Sequence, residues 1–251
     1  MGMRLKNTTW IVTGASRGIG RALALLLAER GAKLVLNARH AANLAEVAAR
    51  ARDLGTEAIP VEGSAARAEV AGRLVRAALG LGDFKGFIHN AGVLHAGPLL
   101  WELPEPHWDE VLEANVKAGY QLIRYAVPEL LARGGGVAVF FGSGAAESNL
   151  PGIGAYAVAK AAEEHLARQL AAEAPEMVSF VYRPGVVETR MQREARTAEG
   201  GAAEMLHRVF RGYKEQGLLL TPEESALALV RILEKGPEKF SGKIATWEDG
   251  R

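Results

Sequence analysis

Residues 10–31 read WIVTGASRGIGRALALLLAERG, and the change of rhythm inside this stretch decides the fold. Residues 10–13 are a short apolar run with β-branched members, the composition of a buried strand. From Gly18 onward Ala and Leu recur at helical spacing until Gly31, a residue suited to stopping a helix. Between the two lie Gly14, Gly18 and Gly20. A strand that turns tightly into a helix presents backbone N–H groups and the positive helix end to a phosphate. Glycine permits that turn and lets a pyrophosphate approach the backbone. The spacing is G-x-x-x-G-x-G, not the usual dinucleotide fingerprint. Taken alone, the turn fits a structural role as well.

The same rhythm recurs along the chain. Apolar runs at 10–13, 33–38, 57–61, 86–90, 137–141, 178–182 and 243–246 predict strands. Stretches of helical period near 18–30, 41–54, 66–80, 107–132, 155–173, 201–216 and 222–235 separate or follow them. Repeated strand–helix alternation predicts an α/β fold, a parallel sheet covered by helices on both faces. Thr221-Pro222-Glu223-Glu224 carries the chemistry of a helix start, with Thr as cap, Pro at the first position and Glu224 completing a capping box. No linker or repeat divides the chain, so one domain over 1–251 is expected. The charged stretch 185–217, with Gly200-Gly201, is a candidate lid over a site.

Thirty basic residues against 29 acidic ones leave a formal net charge of +1, which gives no global drive toward nucleic acid or an anionic membrane. The absence of cysteine excludes disulfides, thiolate metal sites and a cysteine nucleophile. MGMRLKNTTW lacks the apolar core of a signal peptide and does not fit a myristoylation pattern. No apolar run spans a bilayer. A cytoplasmic location is the expectation. The histidines at 89, 107, 165 and 207 show no metal-ligand spacing, so no metal is expected.

The end of the second strand tests the phosphate reading. A site for NAD favours Asp or Glu about 20 residues past the glycines, to hold the ribose 2′-hydroxyl. Here the sequence is VLNARH, with Ala38 at that point, Arg39 next, and Arg17 inside the glycine turn. Each arginine alone would be an ordinary surface charge. Together, with the acid missing, they suit a 2′-phosphate, because guanidinium matches phosphate oxygens bidentately. The expected cofactor is NADP(H).

Ligands of open α/β sheets bind at the carboxyl ends of the strands. Asn90, Ala91 and Gly92 in HNAGV and Ser143 in GSGAA end two strands, over the same crevice as the glycine turn. In the following helix, YAVAK places Tyr156 and Lys160 four residues apart, on one face. Isolated, such a pair is ordinary helix surface. In this crevice it has a chemistry. Hydride added to a carbonyl carbon leaves charge on oxygen, which a phenol can protonate. A phenol titrates near 10, and a neighbouring ammonium lowers that value toward a useful range. Ser143 can hydrogen-bond the carbonyl oxygen and polarise it.

TGASRGIG, NAG, Asn115, Ser143, YAVAK and Pro184-Gly185 together resemble the short-chain dehydrogenase/reductase family over nearly the whole chain. The resemblance implies a Rossmann-type doubly wound sheet of seven strands in the order 3-2-1-4-5-6-7. It implies Tyr156 as acid/base, Ser143 as carbonyl orienter, and Lys160 as tuner of the phenol and ligand of the nicotinamide ribose. Asn115 would hold a water linking Lys160 to solvent. Gly14, Ser16, Arg17, Gly18, Ile19 and Gly20 would hold the phosphates, with Asn90, Ala91 and Gly92 on the adenine side. Val187 and Thr189, after Pro184-Gly185, would meet the carboxamide. Pairing through the helices at 107–132 and 155–173 would give a homodimer or homotetramer.

Two positions depart from the family pattern. Ser64 stands where an adenine-contacting Asp is usual, and Arg183 precedes Pro184 where a small or neutral residue is usual. Arg183 either packs against a nearby acid or borders the site. The run LAAEAPEMVSFVYRPGVVETRMQREAR resembles the branch of sepiapterin reductase and bacterial benzil reductases, which implies ketone or vicinal dicarbonyl substrates. Leu94, His95, Ile153 and Met191 are candidate pocket lining. Glu147 and Glu188 are the acids that would hold a pterin, if one binds. A 3-oxoacyl carrier-protein reductase, left open by the basic stretch 183–196 but disfavoured by the RPGVVETRMQ likeness, and a non-catalytic NADP(H)-binding regulator are the alternatives.

Overall fold

A computed structural model describes residues 2–251. Seven strands form one sheet in the order β3-β2-β1-β4-β5-β6-β7. They are β1 (Thr9–Thr13), β2 (Lys33–Ala38), β3 (Ala58–Glu62), β4 (Phe84–His89), β5 (Val137–Phe141), β6 (Val178–Arg183) and β7 (Ile244–Thr246). Every pairing is parallel. The predicted order therefore stands, and it reverses between β1 and β4. There the connections leave in opposite directions and open a crevice at the carboxyl ends.

Strand side chains alternate between two apolar layers, as a pleated sheet buried on both faces requires. Trp10, Val12, Leu34, Leu36 and Val139 face one layer, closed by α1 (Gly18–Glu29), α2 (Ala41–Asp53) and α9 (Pro222–Lys235). Ile11, Val35, Phe87, Phe140 and Val181 face the other, closed by α3 (Ala68–Leu81), α5 (Ala118–Leu131) and α6 (Gly154–Glu173). Gly31 ends α1 with φ +75°, and its N–H donates to Ala28 O at 2.8 Å. At the start of α9, Glu224 N donates to Thr221 Oγ1 at 3.1 Å and Thr221 N to Glu224 Oε2 at 2.7 Å, the capping box expected there.

Two regions differ from the periodicity reading. The helix expected over 107–132 is α4 (Glu105–Leu112) and α5 joined by a π turn, Glu113–Lys117, with Asn115 in it. An inserted π turn keeps the apolar stripe nearly continuous, so the pattern cannot reveal it. The charged stretch after β6 begins with a short helix that the periodicity does not predict, α7 (Arg190–Arg196), and continues into α8 (Ala203–Glu215), where a helix over 201–216 is expected. No helix among the described residues is long and apolar enough to cross a membrane.

Candidate active site

The glycine turn is locked to β4 by polar atoms rather than by glycine alone. Asn90 Nδ2 donates to Thr13 O at 3.1 Å and Gly14 O at 3.3 Å, while Asn90 N and Ala91 N both donate to Thr13 Oγ1 at 3.2 Å. A methyl group built on Gly14 would lie 2.7 Å from Asn90 Nδ2, and one on Gly20 would lie 2.3 Å from Gly14 O. Only glycine fits at either position. A methyl on Gly18, in contrast, would meet only Thr189 Cγ2, at 3.6 Å. Gly18 thus opens toward the crevice, with Thr189 beside it. The α1 N-terminus has neither a side-chain cap nor an acid in its first turn, so its amide groups suit an anion.

Burial, then the charge of Arg190 and that of Arg39, lower the pKa of Arg17, while Glu194 opposes them. Arg17 thus feels the positive charge of Arg190 and of Arg39. Arg39 is also ion-paired with Glu110 of α4, whose carboxylate is held below its ordinary value chiefly by that hydrogen bond. Glu110 Oε2 contacts His95 Nε2 at 2.6 Å, and the His95 ring stacks on His107 at 4.0 Å. His95, a candidate for the pocket lining, is held by Glu110 and His107 and sits between Leu94 and Ala96 of an apolar cluster. Ser64 follows β3 in a local turn, where its Oγ accepts from Ala66 N at 3.3 Å.

On the other side of the crevice, Ser143 caps the 3-10 turn Gly144–Ala146 and accepts from Ala145 N at 3.2 Å. Ser143 N donates to Glu164 Oε1 at 3.1 Å. Glu164 is buried on α6 and receives Arg183 bidentately, from Nε at 2.9 Å and NH2 at 2.8 Å. Arg183 also grips Glu147 at 2.7 Å, and these two carboxylates raise its pKa. Arg183 thus packs against acids and, through Glu164, fixes the backbone of Ser143. Glu188 is likewise engaged, by Arg196 at 2.6 Å.

Lys160 is buried and lies on the Tyr156 side of α6, its Nζ 5.5 Å from the phenol ring centre. Nζ donates to Phe141 O and to Glu163 Oε2, each at 2.7 Å. Burial opposes the ammonium, but the charges of Glu163 and Tyr156 raise its pKa above the ordinary lysine value. Asn115 donates its side-chain amide to Val93 O at 2.9 Å and Val111 O at 2.8 Å. Its buried Oδ1 has no hydrogen-bond partner. A methyl built on Gly92 would lie 2.6 Å from that oxygen and 3.8 Å from Lys160 Nζ, so Gly92, Asn115 and Lys160 meet at one point.

Over Tyr156 an apolar cluster joins Leu94, Ile153, Met191 and Leu206, closing the segment after β6 onto the crevice. Pro184 O accepts from Ser225 Oγ at 2.9 Å, Gly185 adopts φ +80°, and buried Val187 bridges to Leu220. These contacts set where Thr189 begins α7. Ile19 packs on the core beneath the turn, and Ser16 is half-buried within it.

The short chain dehydrogenase family model matches residues 8–200. The chain belongs to the short-chain dehydrogenase/reductase family. It is 36% identical over 192 residues to dehydrogenase/reductase SDR family member 4 of Bos taurus, covering 75% of this chain and 69% of that one. It is 31% identical over 246 residues to the uncharacterized oxidoreductase YIR035C of Saccharomyces cerevisiae, covering 95% of each. The solved structure of that yeast protein superposes with a TM-score of 0.85 at 28% identity, over 96% of both chains. A 7α-hydroxysteroid dehydrogenase, solved with NADH and 7-oxo glycochenodeoxycholic acid, gives 0.82 at 26% identity, over 98% of this chain and 95% of that one. Short-chain dehydrogenases/reductases are oxidoreductases of small molecules that bind a nicotinamide cofactor.

Sequence reasoning missed Thr13, His89, Glu110, Glu163 and Glu164. The last two carried a signal, since acids three and four residues after Lys160 lie on its side of the helix. Adjacent acids on a helix ordinarily face solvent, which hides that signal.

Proposed function

We propose that the protein reduces a ketone or vicinal dicarbonyl with NADPH, with Tyr156 as the proton donor. The observation that carries this reading is Lys160 Nζ held 5.5 Å from the centre of the Tyr156 ring, at the crevice where β1, β4, β5 and β6 end. When bound, the cofactor supplies hydride to the carbonyl carbon. The residues do the rest. Ser143, its backbone held by Glu164, orients the carbonyl oxygen. Tyr156 gives that oxygen a proton. Lys160 and Asn115 offer polar atoms to the ribose side. Gly14, Gly18 and the α1 amides receive the phosphates.

The preference for NADPH rests on Arg17 and Arg39, with Ala38 in place of an acid. Glu110 occupies Arg39, but a partly exposed ion pair is worth only about 0–1 kcal/mol, and a phosphate outcompetes it. The 7α-hydroxysteroid dehydrogenase was solved with NADH, but at 26% identity its cofactor does not transfer to these arginines. The likeness of RPGVVETRMQ to sepiapterin and benzil reductases supports a dicarbonyl substrate, although the relatives named above are not described as such. The stretch 183–196 suits an acidic carrier protein poorly. Arg183, Arg190, Arg193 and Arg196 are all paired with glutamates. Pairing of two or four copies through α5 and α6 would cover the exposed Tyr120 and Val158.

NADPH consumption, followed in parallel with a benzil-type diketone, sepiapterin and an acetoacetyl thioester, tests the substrate class. The diketone is expected to turn over fastest. No turnover of any of the three, with NADPH bound, would favour a regulator. Arg39→Ala is expected to weaken NADPH by about tenfold or more, the loss of a charge-assisted contact, and to leave NADH little affected. Equal losses for both would contradict the 2′-phosphate assignment.

A further inference from the structure

Glu163 is a fully buried acid with an unusual surrounding. Its Oε2 accepts from Lys160 Nζ at 2.7 Å, while its Oε1 has no hydrogen-bond partner. His89 of β4 stands beyond hydrogen-bond distance, with Nε2 at 3.7 Å from Oε1. That imidazole is committed elsewhere. Asn115 O, which can only accept, lies 3.1 Å from Nε2, so Nε2 carries the proton, and Nδ1 accepts from Thr13 Oγ1 at 3.0 Å. Burial first, and then the charge of Lys160, keep His89 neutral, with a pKa of about 3. The groups facing Glu163 are therefore Lys160 and Glu164 on its own helix and neutral His89 on β4, with Tyr156 beyond Lys160. Arg183 of β6 answers the charge of Glu164.

A carboxylate buried with one bare oxygen is costly, and an apolar side chain would pack α6 on the sheet without that cost. Its one strong contact is with the lysine that faces Tyr156. We propose that Glu163 is a positioning residue that partly neutralises the Lys160 ammonium, so that the phenol of Tyr156 keeps its proton to higher pH and the enzyme is biased toward reduction. The proposal rests on the reading of Tyr156 as proton donor. With the carboxylate present, the pair next to the phenol is nearly neutral, and phenolate formation gains less from it. Glu163 also commits one ammonium hydrogen, as Phe141 O commits a second, and so leaves one for a ligand. Burial raises the Glu163 pKa to about 7 against the lowering effect of Lys160, so the carboxylate is charged on the alkaline side, where the phenol would lose its proton.

The test is the pH profile of kcat for carbonyl reduction, in wild type and in Glu163→Gln. Gln keeps the shape and the hydrogen bond but loses the charge. The alkaline limb of the profile is expected to move toward acid by about one pH unit, a roughly tenfold lower rate at pH values on that limb. Glu163→Asp, which keeps the charge, should hold the limb nearer the wild-type position. Should Gln prevent folding, Glu163→Met supplies a second chargeless variant, with the same expected shift. A readout independent of turnover is the phenolate absorbance of Tyr156, taken as the titration difference between each protein and its Tyr156→Phe counterpart. It should shift in the same direction. A limb and a titration that stay in place in a folded chargeless variant, or move toward alkali, would overturn the proposal. If wild type reduces no carbonyl, the catalytic reading fails, and the phenolate titration still decides the role of Glu163.

Discussion

His89 ties the site to the fold through single atoms. Its ring joins Thr13, which receives the Asn90 and Ala91 amides, to the carbonyl of Asn115 in the π turn. Burial holds its pKa at about 3, against 6.5 for an ordinary histidine. The folded form is the one with the depressed value. Its contribution to stability is therefore complete above about pH 6.5 and is lost as pH falls toward 3, because the unfolded chain then binds a proton that the folded chain refuses. The full extent is roughly 3–5 kcal/mol. Urea unfolding at a series of pH values should show His89→Gln losing stability less steeply than wild type between pH 6.5 and 4. Parallel slopes would show that His89 is not the buried neutral group described. The sequence could not reveal this role, since HNAG places His89 at the end of a strand without naming the oxygen it faces.

At the scale of elements, α6 is fastened to the sheet by ion pairs rather than by apolar packing alone. Glu164 joins the turn after β5, through Ser143 N, to the end of β6, through Arg183. Removing Arg183 leaves a buried carboxylate without its partner, which costs about 3 kcal/mol. Chemical denaturation of Arg183→Ala should register that loss, and Arg183→Lys should recover part of it. An Ala variant as stable as wild type would show that the pair contributes nothing net. Of this arrangement, the sequence made legible the strand that brings Arg183, the helix that carries Lys160, and an acid partner as one of two options for Arg183. The identity of that acid required the crossing of α6 over β5 and β6. The strands were legible because their apolar runs are short and β-branched, and the capping box because its residues act locally. The π turn and α7 were hidden, one by an uninterrupted apolar stripe and the other by its charge and shortness. Arg39 was legible as a cation at the end of β2. Its pairing with Glu110, 71 residues away, was not.

At the scale of the molecule, one parallel sheet with an apolar layer on each face holds four strand ends in a row, and the reactive groups come from the segments that follow them. Thr13 ends β1 and the glycine turn follows it, Asn90 to Gly92 follow β4, Ser143 follows β5, and Thr189 follows β6. Residues remote in sequence thus meet at one edge of the sheet, and the segment carrying α7 and α8 supplies an apolar roof over Tyr156. The central claim is that this assembly reduces a carbonyl with Tyr156 as proton donor. The most direct measurement is the rate of NADPH-dependent reduction of a vicinal diketone by wild type and by Tyr156→Phe, with NADPH binding followed in both. Loss of general-acid catalysis predicts a kcat lower by about 100-fold or more in a variant that still binds NADPH. A Phe variant that turns the diketone over at the wild-type rate would contradict the account.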